Sequence, residues 1–185
     1  MHTLDGVGRT DQYRALGLST FAFTICFAVW TIFSIIGVKI KADLGLSDTQ
    51  FGLLVATPVL TGSISRIFLG IWTEQFGGRI MFPLQMLVTA ISVWLLTWVE
   101  TYEIFLVAAL GLGLAGGSFI VGVSYVSHWF EKEKQGTALG IFGAGNVGAA
   151  VTNFAAPFLV LALGWEGTAQ VYAVVLVVTA VLFYV

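Results

Sequence analysis

The sequence has very little charge. Lysine, arginine, aspartate and glutamate make up 10% of its 185 residues, and 58% of the residues are hydrophobic. A soluble globular domain carries about 25% charged residues. So few charged side chains leave too little polar surface to cover a domain that faces water. The composition therefore excludes an ordinary soluble domain and predicts an all-α integral membrane protein whose outer surface faces lipid.

The sequence also lacks the residue clusters that support catalysis. Cys26 is its single cysteine and has no second cysteine with which to form an internal disulfide. No metal-ligand cluster, nucleophile–base set or phosphate loop is evident, so we expect no enzyme, no metal and no cofactor. Gly111-x-Gly113-x-x-Gly116 matches a dinucleotide-binding pattern, but it lies inside an apolar run with no strand before it. The formal net charge of −2 gives no indication of a nucleic-acid partner.

Long apolar runs dominate what is present. Six of them have roughly 17–27 residues, the length that a bilayer crossing requires, and they do not alternate as membrane β-strands do. Because backbone groups in lipid must be satisfied within their own segment, all six are predicted to be helices. The predicted spans are Leu16–Ile40, Phe51–Trp72, Ile80–Val99, Ile104–Phe130, Gly136–Ala162 and Ala169–Val185.

Positive charge beside the spans predicts their orientation, because lysine and arginine favour the cytoplasmic side. One side of the predicted bundle collects five such residues and the other collects two. We therefore expect residues 1–15 to form a cytoplasmic tail. The five are Arg9, Arg14, Arg79, Lys132 and Lys134, and the two are Lys39 and Lys41.

The last predicted span ends at Tyr184 and Val185 without a polar flank. Only about 17 residues of it are present, which is short for a crossing. We expect residues 16–185 to form one six-helix bundle that stops inside or at the edge of its sixth helix, as a fragment of a longer protein would.

The connector after the second predicted span carries a pattern. Residues 70–79 read GIWTEQFGGR and fit G-x-x-x-[DE]-x-x-G-x-[RK] through Gly70, Glu74, Gly77 and Arg79. The glycines allow a tight turn to pack against a neighbouring helix end. Glu74 can pair with a cation there, and Arg79 can hold the turn at the cytoplasmic side. An ordinary turn with two charges is the alternative, but the pattern resembles the signature between helices 2 and 3 of the major facilitator superfamily.

The start of the fifth predicted span carries a more specific pattern. Residues 135–148 read QGTALGIFGAGNVG and resemble the glycine-rich signature of the nitrate/nitrite porter family, a branch of that superfamily. Residues 116–119 and 27–31 also look like that family. The resemblance extends from about Phe21 to Ala162.

This resemblance implies the N-terminal half of a twelve-helix transporter, built from two inverted repeats of three helices. It implies transport of nitrate and/or nitrite by alternating access, as nitrate/nitrite antiport or proton-coupled symport. The family completes its site with a second arginine from the other half, so a missing C-terminal half, or a second copy, is an expected partner beside the lipid bilayer. The implied substrate-binding residues are Arg66, Asn146, Gly143, Phe119, which would stack on the anion, and Phe27, a nearby pocket wall.

Arg66 is notable on physical grounds alone, because an arginine inside a membrane helix costs at least about 2.5–3.5 kcal/mol. Pro58, Gly62, Arg66 and Gly70 are spaced four apart and share one helix face. Small residues around a cation leave room for an anion to approach. One alternative is an arginine that snorkels to the surface and binds nothing. Another, compatible with an anion site, is that the glycines serve close helix packing.

The fifth predicted span combines Asn146 with five glycines in residues 136–148. Each glycine disfavours a helix by about 1 kcal/mol relative to alanine, but this density allows a ligand to approach the backbone closely. The alternative is small-residue packing with a hydrogen-bonding asparagine. An arginine fork, an aromatic ring and amide donors together suit a small, planar, delocalised anion such as nitrate.

Carboxylates are missing from the interior of the spans. All ten acidic residues lie in the tail, the connectors or the span ends, whereas proton-coupled carriers often use buried carboxylates. Proton coupling would need the other half, the arginine–anion pair or interfacial groups, of which His128 is one that can titrate. Exchange without protons fits equally well.

Two alternative functions stay open: a major facilitator carrier of another small anion or solute, such as a monocarboxylate, and a membrane fragment that does not transport.

Overall fold

The computed structural model describes residues 8–98 and 101–185, and the regular structure within these ranges is helical. Within these two ranges, five helices are long and apolar enough to cross a membrane. The predicted all-helical membrane class is thereby confirmed. The helices are α1 (Arg9–Leu44), α2 (Asp48–Phe76), α3 (Gly78–Trp98), α4 (Tyr102–Ser127) and α5 (Lys132–Tyr184).

The first four helices follow the first four predicted spans, and α1 is longer than expected. It begins at Arg9 and so takes in residues 9–15 of the predicted tail, while residues 1–7 lie outside the described ranges. Val99, the predicted end of the third span, also lies outside them. A turn at Thr31 interrupts α1 near its middle.

Local sequence explains where α1 ends and α2 begins. Gly45 adopts a left-handed conformation with φ 60°, which terminates α1. Ser47 then caps α2, since its side chain accepts from the Gln50 N–H and its own N–H donates to Gln50 Oε1 at 3.0 Å. This reciprocal pair satisfies two donors that a helix start would otherwise leave without partners.

Six separate helices are not confirmed, because the fifth and sixth predicted spans belong to one helical run of 53 residues. Gly164 interrupts this run with φ 74° and ψ 176°, a conformation that glycine adopts readily. The Tyr172 hydroxyl donates to Thr152 Oγ1 at 3.1 Å, although this separation along a straight helix would place the two residues about 30 Å apart. The chain therefore folds back at Gly164, and the first arm of α5 (132–163) lies beside the second arm (165–184).

Contacts at opposite ends of the bundle show how the second arm of α5 runs. Trp165 Nε1 donates to Asp43, near the end of α1, at 2.9 Å. At the other end, Arg79 Nη2 donates to the Tyr184 carbonyl at 3.0 Å. Arg14 and Arg79 line one pocket there, so we call this end of the bundle the basic end.

Helix α2 is the least buried of the five. Within its most apolar stretch 28% of residues are buried, compared with 44–56% in the other helices. The centre of the bundle is filled by side chains that include Phe23, Phe82, Phe105 and Phe142. Because lipid is as apolar as these side chains, close packing rather than exclusion of water holds the helices together. Helix α2 therefore lies at the edge of the bundle with a long exposed face.

Candidate functional site

Arg66 is oriented by one hydrogen bond from its guanidinium to the backbone of α4. Its Nε donates to the Gly116 carbonyl at 3.2 Å, and the residue is exposed. Among residues 8–98 and 101–185, Arg66 has no ion pair and its two terminal nitrogens have no hydrogen-bond partner. This bond favours an oriented guanidinium over a freely snorkelling one. The two nitrogens that can donate in parallel stay available.

Glycines bring α2 and α4 close enough for this bond. A Cβ atom on Gly62 would lie 3.0 Å from the Gly113 carbonyl and 3.5 Å from Gly116 Cα, so the two backbones nearly touch. Trp30 of α1 closes the crossing and donates from Nε1 to the Pro58 carbonyl at 3.2 Å. The room that Gly62 was expected to leave beside the arginine is thus filled by α4. The glycines of the dinucleotide-like pattern thus serve helix packing, since Gly113 and Gly116 lie at this crossing and Gly111 meets Ser92 of α3.

Helix α4 tightens into a 3₁₀ turn at Leu114–Gly117. Hydrogen bonds in such turns have poorer geometry than in an α-helix, and side chains add donors here. One of these donors is the amide of Gln85, a buried residue of α3. Gln85 was not predicted from the sequence as a functional residue, although it is the lone amide inside the third predicted span. The donors are Gln85 Nε2 to Leu114 O at 2.5 Å, Ser118 Oγ to Ala115 O at 2.6 Å, and Arg66 Nε to Gly116 O at 3.2 Å.

Phe27 and Phe119 meet around a third ring, Phe23. The Phe23 centroid lies 5.6 Å from each of them and 4.8 Å from that of Phe142. Phe119 is 39% exposed, whereas Phe23 and Phe142 are buried. Phe119 lies three residues after Gly116, which places its partly uncovered ring one helical turn from the carbonyl that holds the arginine.

The glycines of α5 fall into two groups. Gly145 and Gly148 pack against α1, and a Cβ on Gly148 would collide with the Thr24 carbonyl and lie 2.8 Å from Ala28 N. The other group faces open space, with no atom within 4 Å of an added Cβ. Packing and open approach therefore both occur on this helix, on different faces. The open positions are Gly136, Gly140 and Gly143.

Asn146 is exposed, and its Nδ2 donates to the Gly143 carbonyl of the same helix at 2.8 Å. Within the part of the chain that the structure describes, no hydrogen bond joins Asn146 to Arg66. Helices α2 and α5 do face a common hollow of about 300 Å³, whose lining includes Pro58 and Asn153. These two residues lie about two helical turns from Arg66 and Asn146.

The connector pattern forms the turn between α2 and α3. Gly77 ends α2 with φ 83°, and an added Cβ on Gly70 would lie 3.3 Å from Ile120 of α4. Glu74 accepts a hydrogen bond from Ser124. The turn is therefore fixed both by its own glycine and by contacts with α4.

The two charged residues of this pattern bind different helices. Glu74 Oε2 lies 3.4 Å from Nε2 of His128, the residue that follows the end of α4, and the pair is ionic when the imidazole is protonated. Arg79 binds the Tyr184 carbonyl and stacks over its ring with 5.8 Å to the centroid. The connector thus joins α2 and α3 to the ends of α4 and α5.

Gly77→Ala is expected to lower the free energy of unfolding, because an L-residue in the left-handed region costs roughly 1–2 kcal/mol. Gly52→Ala is the matched control, since Gly52 is helical and nothing lies within 4 Å of its added Cβ. It should leave stability unchanged or slightly raised. Thermal unfolding in detergent measures both variants, and equal melting temperatures would contradict the expectation.

Within the described ranges, five long apolar helices with an oriented arginine in one of them define a helical membrane protein, and a charged residue inside such a helix commonly marks a functional pathway. The sequence profile described as the Major Facilitator Superfamily matches residues 18–185. The chain belongs to this superfamily. Its members are transporters and not enzymes, in agreement with the expectation from the sequence.

Similar curated proteins include nitrate and nitrite carriers. The chain is 43% identical over 181 residues to the probable nitrate/nitrite antiporter NarK1 of Thermus thermophilus, covering 91% of this chain and 41% of that protein. It is 36% identical to the nitrite extrusion protein of Bacillus subtilis (strain 168), covering 92% and 43%. It is 34% identical to the probable nitrate transporter NarT of Staphylococcus epidermidis, covering 91% and 44%.

The chain spans about two fifths of the length of these relatives and corresponds to their N-terminal portion. The resemblance to nitrate/nitrite porters found from the sequence is thereby confirmed.

Proposed function

We propose that the chain forms the N-terminal half of a carrier that moves nitrate and/or nitrite across the membrane by alternating access. The observation that carries this proposal is the Arg66 guanidinium, which is held by Gly116 while both terminal nitrogens stay available. The printed names of the similar proteins indicate the same substrates.

The proposed chemistry matches flat groups to a flat anion. Nitrate and nitrite are small, planar and delocalised, and a guanidinium can donate two parallel hydrogen bonds to two of their oxygens. Phe119 offers a partly uncovered ring for one flat face, and Phe27 supports the same aromatic cluster. Asn146 and the open backbone at Gly143 would complete the coordination once the bundle closes around the anion.

We assign the two arms of α5 to the fifth and sixth membrane crossings. Residues 165–184 reach about 30 Å at 1.5 Å per residue, which matches a bilayer core. The contacts of Trp165 and Tyr184 at opposite ends of the bundle support this assignment. Helices α1–α3 would then form one repeat, and α4 with the two arms would form the inverted second repeat.

We assign the basic end to the cytoplasm, which places the N-terminus there, and the membrane to the bacterial inner membrane. Arg14 and Arg79 share this end, and such charges favour the cytoplasmic side. The proposed partner is a C-terminal six-helix half, or a second copy of this chain, that supplies a second arginine. It would cover the exposed face of α2 and the open glycine face of α5.

Uptake of labelled nitrate tests this function. Cells without their own nitrate carriers should accumulate nitrate when they express the complete coding sequence that contains this chain, and unlabelled nitrite should compete. Uptake by residues 1–185 expressed alone would show that a second copy of the chain supplies the other half. Competition by lactate but not by nitrite would point to a carrier of another solute, and absence of uptake from the complete sequence would reject a transporter.

A further inference from the structure

Two side chains from different helices hold the 3₁₀ turn of α4. Arg66 of α2 binds the Gly116 carbonyl, and Gln85 of α3 binds the Leu114 carbonyl two residues earlier. Phe119 is the second residue after this turn. The position of the turn therefore determines both where the arginine is held and where the ring is presented.

Gln85 contributes to this arrangement only through its donor. The residue is 3% exposed, and its Oε1 has no hydrogen-bond partner within the described ranges. An apolar side chain of similar length would fill the same space without leaving a buried acceptor unsatisfied. What an apolar replacement would lose is the hydrogen bond from Nε2 to Leu114 O.

We propose that Gln85 is a positioning residue for the anion site. It fixes the 3₁₀ turn of α4 so that the Gly116 carbonyl keeps Arg66 Nε engaged and the two terminal nitrogens presented together. This inference rests on the proposed function of Arg66. Pre-orientation of a binding group lowers the cost of binding. Loss of the Gln85 donor therefore weakens anion binding more than it lowers the maximal rate of transport.

Nitrate uptake kinetics test the inference. Gln85→Met, which removes the donor and keeps the length, is expected to raise KM about 5–20-fold and to change the maximal rate by less than about twofold, as expected when orientation of the bound anion is lost. Thr89→Val is the matched control, because Thr89 lies one turn along α3, is buried, and has an Oγ1 without a partner among the described residues. An unchanged KM in Gln85→Met, or an equal rise in Thr89→Val, overturns the inference.

Alkylation of Cys26 gives a readout that does not depend on nitrate. This residue is buried in α1, and α1 packs against both the 3₁₀ turn of α4 and the segment that follows it. Loosening of the turn should expose the thiol, and we expect maleimide to label Cys26 about tenfold faster in Gln85→Met, the effect of an opening made easier by the loss of one buried hydrogen bond. Mass spectrometry of the peptide that carries Cys26 measures the rate.

Gln85→Asn provides a second variant if the methionine variant does not fold. It keeps an amide but shortens the reach by one methylene, so it should also accelerate labelling, whereas Thr89→Val should not. Equal labelling rates in all variants overturn the positioning role. Faster labelling in the Gln85 variants of a protein that takes up no nitrate supports the positioning role and rejects the proposed function.

Discussion

Replacing Arg66 with lysine is expected to lower nitrate uptake by about one to two orders of magnitude. Lysine keeps the positive charge but presents a compact ammonium in place of a planar fork, so it cannot donate two parallel hydrogen bonds to one planar anion. It also loses the Nε donor that Gly116 accepts. A hydrogen bond to a charged group contributes about 1.5–3 kcal/mol, and 1.4 kcal/mol corresponds to about tenfold in rate.

Arg9→Lys is the control for this experiment, because it makes the same chemical change at the exposed start of α1. It should leave uptake unchanged. The amount of each variant in the membrane and its thermal unfolding separate a transport defect from a folding defect. Normal uptake by Arg66→Lys would show that the anion is bound elsewhere.

Hydropathy predicted most of the fold because the bilayer imposes length and polarity on each crossing. It could not predict the behaviour of residues 163–168, which the sequence suggested as a connector between two helices. The structure keeps helical hydrogen bonding on both sides of Gly164 and reverses the chain at that one residue. A hydropathy average over many residues does not register a single dihedral angle.

The components of the site were predictable, but their partners were not. Arg66 stands out from sequence because a charge inside an apolar run is costly. Its acceptor is a backbone carbonyl 50 residues away, and carbonyls have no sequence signature. Gln85 was visible as a polar residue in an apolar span, yet only the crossing of α3 with α4 gives its amide a role.

The division of the α5 glycines also depends on tertiary structure. The sequence shows five glycines in residues 136–148 and allows both packing and ligand approach. Which interpretation applies to each glycine is decided by the face that meets α1. Gly148 lies on that face and Gly140 does not.

Gly148→Ala is accordingly expected to be strongly destabilising. Its methyl group would meet the Thr24 carbonyl and Ala28 N, which are backbone atoms that move only if the whole of α1 shifts. Thr152 of α5 donates to the Ala28 carbonyl at 2.6 Å, so the same shift would also weaken this bond. Overpacking of this kind costs about 1–3 kcal/mol, and for a chain of this size each kcal/mol lowers the Tm by about 2–4 °C.

Gly140→Ala is the matched change on the open face of the same helix. No atom lies within 4 Å of its added Cβ, and alanine favours a helix by about 1 kcal/mol over glycine, so the Tm should stay constant or rise. Thermal unfolding of the two variants in one detergent compares the faces directly. If Gly148→Ala unfolds at the same temperature as Gly140→Ala, then α1 and α5 are not in backbone contact at Gly148. The open face of α5 would then no longer be distinguished from its packed face, and the placement of Gly143 beside the anion would lose its structural basis.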